Sequence, residues 1–404
     1  MAASGFASQP SYDSYDVVIV GGAIMGSSTA WFLANDPDFQ GRVLVIERDP
    51  SYQACSTAHT NSCIRQQFST ELNVRISQFG ADFVTNLRGY MGDDRIPDMP
   101  IHSYGYMYLA DTEAFADALR AAHKVQRAAG AQTRLMTAEE IADEYPFYLT
   151  DDIVLGSINT VNEGYFDGGG LFDWFRRAAR ERGVEYVQGE VAALTRAGDK
   201  ITGVTLKDGS QISCGQLVNA TGPRAARTAA MAGIQLPVEP RKRFTWVFEA
   251  REKLGRDLPL TIDPSGVHVR QDGPDTFLAG CKPDPDPAVA FDDFTMDHSI
   301  WEETVWPALA TRIPAFEAIR VITEWAGHYA YNTLDQNAVL GPHPEIANFH
   351  FINGFSGHGL QQSPAMGRGL SELLVHGGYR NMDLSAFSYD RVLRNEAIVE
   401  RAVI

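Results

Sequence analysis

The stretch YDVVIVGGAIMGSSTAWFLANDPDFQGRVLVIE, residues 15–47, decides the fold of this chain. It consists of an apolar strand, a glycine turn, a helix and a second apolar strand that ends on an acid. This order predicts a dinucleotide-binding βαβ unit, in which the amides of the turn and the positive end of the helix meet a pyrophosphate. Glu47 is placed to bind a ribose, and its charge disfavours the 2′-phosphate of NADP.

The turn departs from the usual pattern at one position. Ala23 stands where the middle glycine is expected, and its methyl group would crowd the phosphate. The simpler alternative is an ordinary strand–helix turn that contains three glycines. The flanking strands and the terminal acid favour the dinucleotide interpretation.

Composition narrows the class of protein. The 404 residues are 44% hydrophobic, which predicts a large core and two domains, and the net charge of -17 disfavours nucleic acid and anionic membranes as partners. The four cysteines have no metal-binding spacing, so we predict no metal site and reduced thiols. The first sixteen residues resemble no signal or transit peptide and no stretch could span a membrane, so we expect a cytoplasmic protein.

The remaining pattern predicts an α/β protein with two interleaved domains. Residues 72–90, 113–129, 137–144 and 168–182 are predicted helices, and 103–110 and 216–220 are predicted strands. We assign residues 1–85, 160–235 and 322–404 to a Rossmann-like cofactor domain, and residues 86–159 and 236–321 to a β-rich α+β substrate domain. A cleft between the two is the expected site of chemistry.

A second motif, NGFSGHGLQQ at residues 353–362, lies between a strand and a helix. Ser363 and Pro364 resemble the start of that helix. Three glycines around His358 would let backbone amides and the helix end stabilise the negative charge of a reduced flavin ring. A tight turn with a surface histidine explains the motif equally well.

Taken together, these motifs resemble the D-amino-acid-oxidase/sarcosine-oxidase superfamily of FAD-dependent oxidoreductases. The resemblance is closest to the FAD-dependent oxidoreductase domain-containing subgroup, which includes a complex I assembly oxidoreductase. It rests on VNATGPRA (218–225), STAHTNSCIRQQFS (56–69), GHYAYNTLDQNAVLGPHP (327–344) and GFSGHGLQQSPAMGR (354–368). It implies FAD, a small carboxylate-bearing amine oxidised at its C–N bond, and oxygen or a carrier as electron acceptor.

The resemblance also implies roles for individual residues. The implied cofactor-binding residues are Gly21, Gly22, Ala23, Gly26, Glu47, Arg48, Ser56, Thr57, His59, Thr60, Asn61, Val191, Thr221, Gly222, Gly354, Gly357, His358, Gly359, Leu360 and Gln361. Arg65 would bind the substrate carboxylate, with Glu71 as its alternative partner. His358 and Tyr331 are the other catalytic candidates, although Tyr331 could equally be a core residue.

Two departures from the family affect the expected chemistry. His328 stands where sarcosine oxidases carry the flavin-linking cysteine, so we expect non-covalent FAD, with a link through His59 as the alternative. The strand TFLAGCK (276–282) puts Leu278 where the family has an oxygen-activating lysine, which favours a dehydrogenase. Two other functions stay open: 2-hydroxy acid oxidation with His358 as base, and a flavin-bound assembly scaffold with a protein partner.

Overall fold

The computed structural model describes residues 6–401, which form two eight-stranded sheets covered by helices. The strands are β1 (Ser14–Val20), β2 (Val43–Glu47), β3 (Cys63–Ile64), β4 (Tyr106–Ala110), β5 (Arg134–Met136), β6 (Leu155–Asn159), β7 (Gly164–Tyr165), β8 (Glu185–Gln188), β9 (Val191–Ala197), β10 (Lys200–Leu206), β11 (Gln211–Asn219), β12 (Val238–Ala250), β13 (Leu260–Ile262), β14 (His268–Gln271), β15 (Thr276–Cys281), β16 (Ile319–Asn332), β17 (Val339–Pro342) and β18 (Phe349–Asn353). The α-helices are α1 (Ile24–Asn35), α2 (Glu71–Thr85), α3 (Leu87–Met91), α4 (Glu113–Ala128), α5 (Ala138–Glu144), α6 (Gly168–Glu181), α7 (Ala225–Ala230), α8 (His298–Ile300), α9 (Trp306–Arg312), α10 (Gly359–His376) and α11 (Asp390–Leu393).

The first sheet has β1 at its centre and the strand order β17-β18-β11-β1-β2-β8. Strands β18, β11, β1, β2 and β8 are parallel, and β10 and β9 extend antiparallel from β11. Alternate residues of β1 pack on opposite faces: Val17 and Ile19 join the core that contains α1 and α10, and Val18 joins the core on the other side. This arrangement confirms the predicted α/β fold with a Rossmann-like cofactor domain.

The second sheet supplies the β-rich part of the molecule, with the order β16-β12-β15-β14-β13-β4-β6-β5. Its pairs are antiparallel except for β13 with β4. Strand β16 crosses the predicted domain boundary at residue 322 and pairs with β12 along its whole length. The division of the chain into domains itself stays a prediction.

Two helices differ from their predicted bounds. The helix predicted at 72–90 is divided at Asn86 into α2 and α3. The start predicted at Ser363 is wrong, because α10 begins at Gly359 and contains Pro364. Pro364 has no N–H for the Leu360 carbonyl, but the Ser363 hydroxyl donates to that carbonyl at 2.9 Å and so compensates the helix. Within residues 6–401, no helix combines the length and apolar character needed to cross a membrane.

Candidate functional site

A long cleft runs from the β1–α1 turn to the loop before α10, and residues of both sheets line it. Most of the predicted site residues meet there although they are scattered over the sequence. Those in the lining are Gly21, Ala23, Glu47, Arg48, Ser56, Thr57, His59, Thr60, Asn61, Arg65, Val191, Thr221, Gly222, Gly357, His358, Gly359, Leu360 and Gln361. Gly22, Gly26, Gly354 and Tyr331 do not line the cleft.

The β1–α1 turn forms one end of the cleft. Gly21 has a φ of +99°, and a side chain there would lie 2.4 Å from the Ala220 carbonyl oxygen, so only glycine fits. Ala23 precedes α1 with a φ of -70°, a conformation that alanine adopts without strain. Ala23, as the N-cap residue, has no side chain that could cap α1, and the first residues of α1 line the cleft, so the positive pole of the helix suits a pyrophosphate there.

Glu47 is tied to this turn by its own carboxylate. It accepts the Gly22 N–H and the Asp49 N–H, each at 2.9 Å, and it is 8% exposed. Burial raises the pKa of Glu47, against the opposing effect of the two backbone hydrogen bonds. Gly22 therefore acts through Glu47, without lining the cleft.

The other two glycines outside the lining permit close packing. A side chain at Gly26 would lie 1.9 Å from the Gly21 carbonyl oxygen, so Gly26 brings α1 against the turn. Gly354 has a φ of +74° in the turn that follows β18. Both shape the cleft from behind.

The segment that carries Ser56 to Asn61 connects the two sheets through side-chain hydrogen bonds. Ser56 donates to the His328 carbonyl at 2.5 Å, and Thr57 accepts the Ile24 N–H at 3.3 Å. Asn61 accepts from Thr245 at 3.2 Å. The middle of the cleft is therefore fixed by partners from the first turn of α1, β12 and β16.

The two histidines considered for a covalent flavin link, His59 and His328, lie on either side of the Phe294 ring. His59 Nδ1 lies 3.1 Å from the Cys55 carbonyl, which only accepts, so Nδ1 donates this hydrogen bond. His328 Nε2 likewise donates to the Asp293 carbonyl at 2.7 Å, and burial lowers the pKa of His328. Both histidines make hydrogen bonds to backbone carbonyls, and the covalent link stays an open prediction.

Arg65 is buried in the cleft wall, with 3% of its surface exposed. Its guanidinium donates to the Tyr106 hydroxyl at 3.0 Å and to His358 Nε2 at 2.9 Å, and its backbone N–H donates to the Gln361 side chain at 2.9 Å. Glu71, the acid considered as an alternative partner, forms an ion pair with Arg75. The predicted carboxylate anchor therefore contacts the glycine loop predicted to face the flavin.

His358 is neutral in this arrangement. Burial, and secondarily the Arg65 charge, hold the pKa of His358 well below its usual range. Because Arg65 donates to Nε2, the proton of the neutral ring lies on Nδ1. His358, the N-cap residue of α10, makes no capping hydrogen bond to the helix, and the N-terminus of α10 directs partial positive charge towards the same loop.

Of the two tyrosines in β16, Tyr329 lines the cleft and Tyr331 lies outside it. The ring of Tyr329 fills the space beside Gly357, where a side chain would lie 2.5 Å from it. Tyr331 lies instead beneath the Arg241 guanidinium, 3.9 Å from it. This position gives no support to a catalytic role for Tyr331.

Sequence reasoning did not select several residues that line the cleft. They are Tyr106, Arg224, Arg227, Arg243, Thr245, Leu260, His268, Cys281 and Phe291. Most come from the second sheet, where an alternating strand carries no local sign of which residue faces a ligand. Leu278 is buried in the sheet outside the lining, whereas Lys282, four residues further on, lines the cleft, and the preference for a dehydrogenase stays a prediction.

The cleft fits an elongated dinucleotide that carries a ring at its far end. Its features are a glycine turn, two helix N-termini whose N-cap residues make no capping hydrogen bond, and a buried acid held beside the first of them. Arg48, Arg224 and Arg227 lie near one another in the lining, so this cleft is basic although the chain is acidic. Phosphates would be stabilised by the backbone amides of the helix ends and by these guanidinium groups.

Similarity to known proteins agrees with this geometry. The family model described as FAD dependent oxidoreductase (DAO) matches residues 16–373. FAD-dependent oxidoreductase domain-containing protein 1 of Xenopus laevis is 39% identical over 96% of this chain and 85% of its own length. Mitochondrial sarcosine dehydrogenase of Mus musculus is 24% identical over 95% of this chain and 42% of its own length.

Among solved structures, L-proline dehydrogenase from P. horikoshii has a TM-score of 0.83 and 26% identity, covering 96% of this chain and 100% of its own. Glycine oxidase from Geobacillus kaustophilus shares the fold, with a TM-score of 0.78 and 22% identity over 93% of this chain and 98% of its own. This chain belongs to the DAO family of FAD-dependent oxidoreductases.

Proposed function

We propose that this protein oxidises the C–N bond of an N-substituted amino acid, with Arg65 binding the substrate carboxylate. The observation that carries this proposal is the burial of the Arg65 guanidinium in the cleft wall, 2.9 Å from His358 of the glycine loop. A planar guanidinium beside the glycine loop is suited to a bidentate pair with a carboxylate. Its place beside the glycine loop would bring the substrate close to the reactive ring.

The names of the relatives support a secondary amine. One similar structure is an L-proline dehydrogenase, and two relatives are a sarcosine dehydrogenase and a 4-methylaminobutanoate oxidase. Proline, sarcosine and 4-methylaminobutanoate each carry a carboxylate and a nitrogen bearing two carbon substituents. We therefore place N-alkyl and cyclic amino acids ahead of primary ones.

The chemistry requires little acid or base from the protein. Bound FAD would supply the acceptor for a hydride from the carbon attached to the substrate nitrogen. The nitrogen lone pair forms the C=N bond, and water then hydrolyses the imine to a carbonyl compound and an amine. Arg65 orients the carboxylate, the α10 end supplies fixed positive charge, and Tyr329 with Phe244 and Leu260 excludes water.

The 2-hydroxy acid alternative is less well supported. It requires a base for the hydroxyl proton, and His358 was the candidate. Its Nε2 lone pair accepts from Arg65, and burial next to that cation holds the pKa of His358 well below its usual range. A neutral imidazole so engaged is a poor proton acceptor.

Two further points stay proposals. Lys282 lines the cleft and supplies a positive charge that would stabilise reduced oxygen, so an oxidase remains as well supported as a dehydrogenase with a protein carrier. We also propose a cytoplasmic location, supported by four cysteines that are all free thiols. Fluorescence of a tagged full-length protein in its host cell would test the location.

An anaerobic screen tests the function. Holoprotein is mixed with sarcosine, proline, glycine, an N-alkyl amino acid series and lactate, and bleaching of the flavin absorbance is followed. We expect rapid bleaching with a secondary amino acid and none with lactate. Bleaching by dithionite alone would instead favour a flavin-bound scaffold, and a co-purifying protein would strengthen that reading.

The matched variant is Arg65→Met. This variant removes the guanidinium that is proposed to bind the substrate carboxylate. We therefore expect the apparent substrate dissociation constant to rise about a hundredfold, which corresponds to about 3 kcal/mol. FAD content should stay near that of the unmodified protein. Unchanged substrate affinity would place the carboxylate elsewhere.

A further inference from the structure

Glu163 is a carboxylate buried completely behind the cleft wall, with 0% of its surface exposed. It does not line the cleft, and no sequence motif drew attention to it. Burial raises the pKa of Glu163 to about 8, while three hydrogen bonds and the Arg65 charge oppose that rise. A buried acid is costly to a fold, so its retention needs a reason.

The backbone around Glu163 is shaped to direct the carboxylate inward. Asn162 has a φ of +55° and Gly164 has a φ of +146°. A side chain at Gly164 would lie 2.0 Å from the His102 carbonyl oxygen, so glycine is required there. Gly164 also pairs with Ile64 in the short β3–β7 ribbon, which places Glu163 beside the segment that carries Arg65.

The carboxylate holds the part of the chain that directly follows Arg65. Glu163 Oε1 accepts the Gln66 N–H at 2.7 Å and the Asn159 side-chain amide at 2.8 Å. Glu163 Oε2 accepts from the Gln67 side-chain amide at 3.0 Å. All three donors are uncharged, so the acid serves as a fixed acceptor for the residues that directly follow Arg65.

A second connection runs through Gln67 to the partner of Arg65. The Gln67 amide also donates to the Tyr106 carbonyl at 2.6 Å, and the Tyr106 hydroxyl accepts from the Arg65 guanidinium at 3.0 Å. The Gln67 carbonyl accepts from Ser157 at 2.8 Å, which fixes the orientation of the amide. Glu163 therefore fixes both the backbone of Arg65 and the strand that carries Tyr106.

We propose that Glu163 is a positioning residue that sets the orientation of the Arg65 guanidinium for a carboxylate ligand. This inference rests on the proposed anchor role of Arg65. Glutamine has the shape of glutamate, but its NH₂ group would face one of the three donors. In Glu163→Gln the Arg65 segment or β4 must therefore shift, and a shift of a fraction of an ångström misaligns a bidentate pair.

The test compares benzoate with benzamide, two probes of similar shape of which only benzoate has a charge. Each is titrated at about pH 9, above the pKa of Glu163, into flavin-loaded full-length protein, and the change in flavin absorbance gives its dissociation constant. For Glu163→Gln we expect benzoate to bind at least about tenfold more weakly, which is about 1.4 kcal/mol, and benzamide to bind within about twofold of the unmodified protein. Flavin content and the circular dichroism spectrum should not change.

The control variant is Glu372→Gln. Glu372 is also a buried acid that accepts hydrogen bonds, from the Arg380 N–H at 2.7 Å and the Asn381 amide at 2.5 Å, but it does not line the cleft. The Glu372→Gln substitution should leave the affinities for benzoate and benzamide unchanged. If Glu163→Asp, which keeps the charge, recovers part of the benzoate affinity, that recovery supports positioning by the carboxylate.

Several results would overturn the inference. Benzoate affinity within twofold of the unmodified protein, tighter benzoate binding, or equal weakening of both probes in Glu163→Gln would each do so. Tighter benzoate binding in Glu163→Gln would mean that the negative charge of Glu163 repels the benzoate anion and does not position Arg65. If Arg65→Met leaves benzoate binding intact, or the unmodified protein does not bind it, the anchor and this inference both fail. Weakening in Arg65→Met but not in Glu163→Gln refutes only the role of Glu163.

Discussion

Replacing Glu47 tests the cofactor end of the cleft. Its carboxylate accepts the N–H groups of Gly22 and Asp49, each at 2.9 Å, and a ribose hydroxyl is predicted to be its third donor. A hydrogen bond to a charged acceptor contributes about 1.5–3 kcal/mol. Glu47→Ala should therefore raise the FAD dissociation constant roughly ten- to a hundredfold.

The same change should also weaken the apoprotein. Without the carboxylate, the buried Gly22 N–H has no partner, which costs about 1–3 kcal/mol of unfolding free energy. Glu47→Gln offers one carbonyl for two N–H groups, so its effects should be smaller but in the same direction. The gentler variant also keeps the prediction testable if Glu47→Ala does not fold.

The assay is quenching of FAD fluorescence as FAD is titrated with apoprotein, with folding checked by circular dichroism. Glu190→Ala is the control, because Glu190 lines the same cleft but its carboxylate pairs with Lys207 at 2.7 Å. It should change the dissociation constant by no more than about threefold. FAD affinity within twofold of the unmodified protein in folded Glu47→Ala would refute the ribose role.

The pH dependence gives an independent check. Ribose hydroxyls donate to the charged form, so protonation of Glu47 should weaken FAD binding. Because burial raises the pKa of Glu47, the loss of affinity should begin at a higher pH than it would for an exposed glutamate. In Glu47→Gln this part of the pH dependence should disappear.

Three further predictions concern the turn, acid stability and the flavin link. Gly21→Ala should lower the free energy of unfolding, measured in urea, by well over about 2 kcal/mol, because its side chain would lie 2.4 Å from a backbone oxygen. Gly183→Ala is the control: Gly183 has a φ of +89° and open space around it, so the substitution should cost only about 1 kcal/mol. Equal costs would refute the clash at Gly21. Burial lowers the pKa of His350 to about 4, whereas the unfolded pKa is near 6.5, so the contribution of neutral His350 to the free energy of unfolding is present above pH ~6.5 and is lost as the pH falls. Between pH 7.5 and 5.0, the free energy of unfolding in urea should fall by about 2 kcal/mol more in the unmodified protein than in His350→Gln. Equal losses in the two proteins would contradict this. Acid precipitation of holoprotein should release the flavin into the supernatant, with or without His59→Ala; flavin retained in the pellet only when His59 is present would establish the covalent link.

The fold of the cofactor domain could be predicted from the sequence alone, because the signals that specify it are local. The strand, the glycine turn, the helix and the acid at Glu47 are separated by short connections, so their spacing fixes their geometry. Ala23 replaces the middle glycine of the usual pattern, and the structure shows why alanine is tolerated there: its φ is negative, so the position does not require glycine. The start of α10 was missed because Ser363 and Pro364 imitate a helix start, while the compensating bond from Ser363 to Leu360 is visible only in the folded chain.

The contacts around Arg65 and Glu163 on the proposed substrate side of the cleft are visible in the tertiary structure and not in the sequence. Arg65 meets Tyr106 and His358 from positions 41 and 293 residues away in the chain, and no periodicity relates them. Glu163 lies 97 residues from Gln66, and its importance depends wholly on which donors the fold brings to it. Local spacing encodes backbone conformation, whereas contacts between distant strands depend on sheet order and register, which a single sequence does not specify.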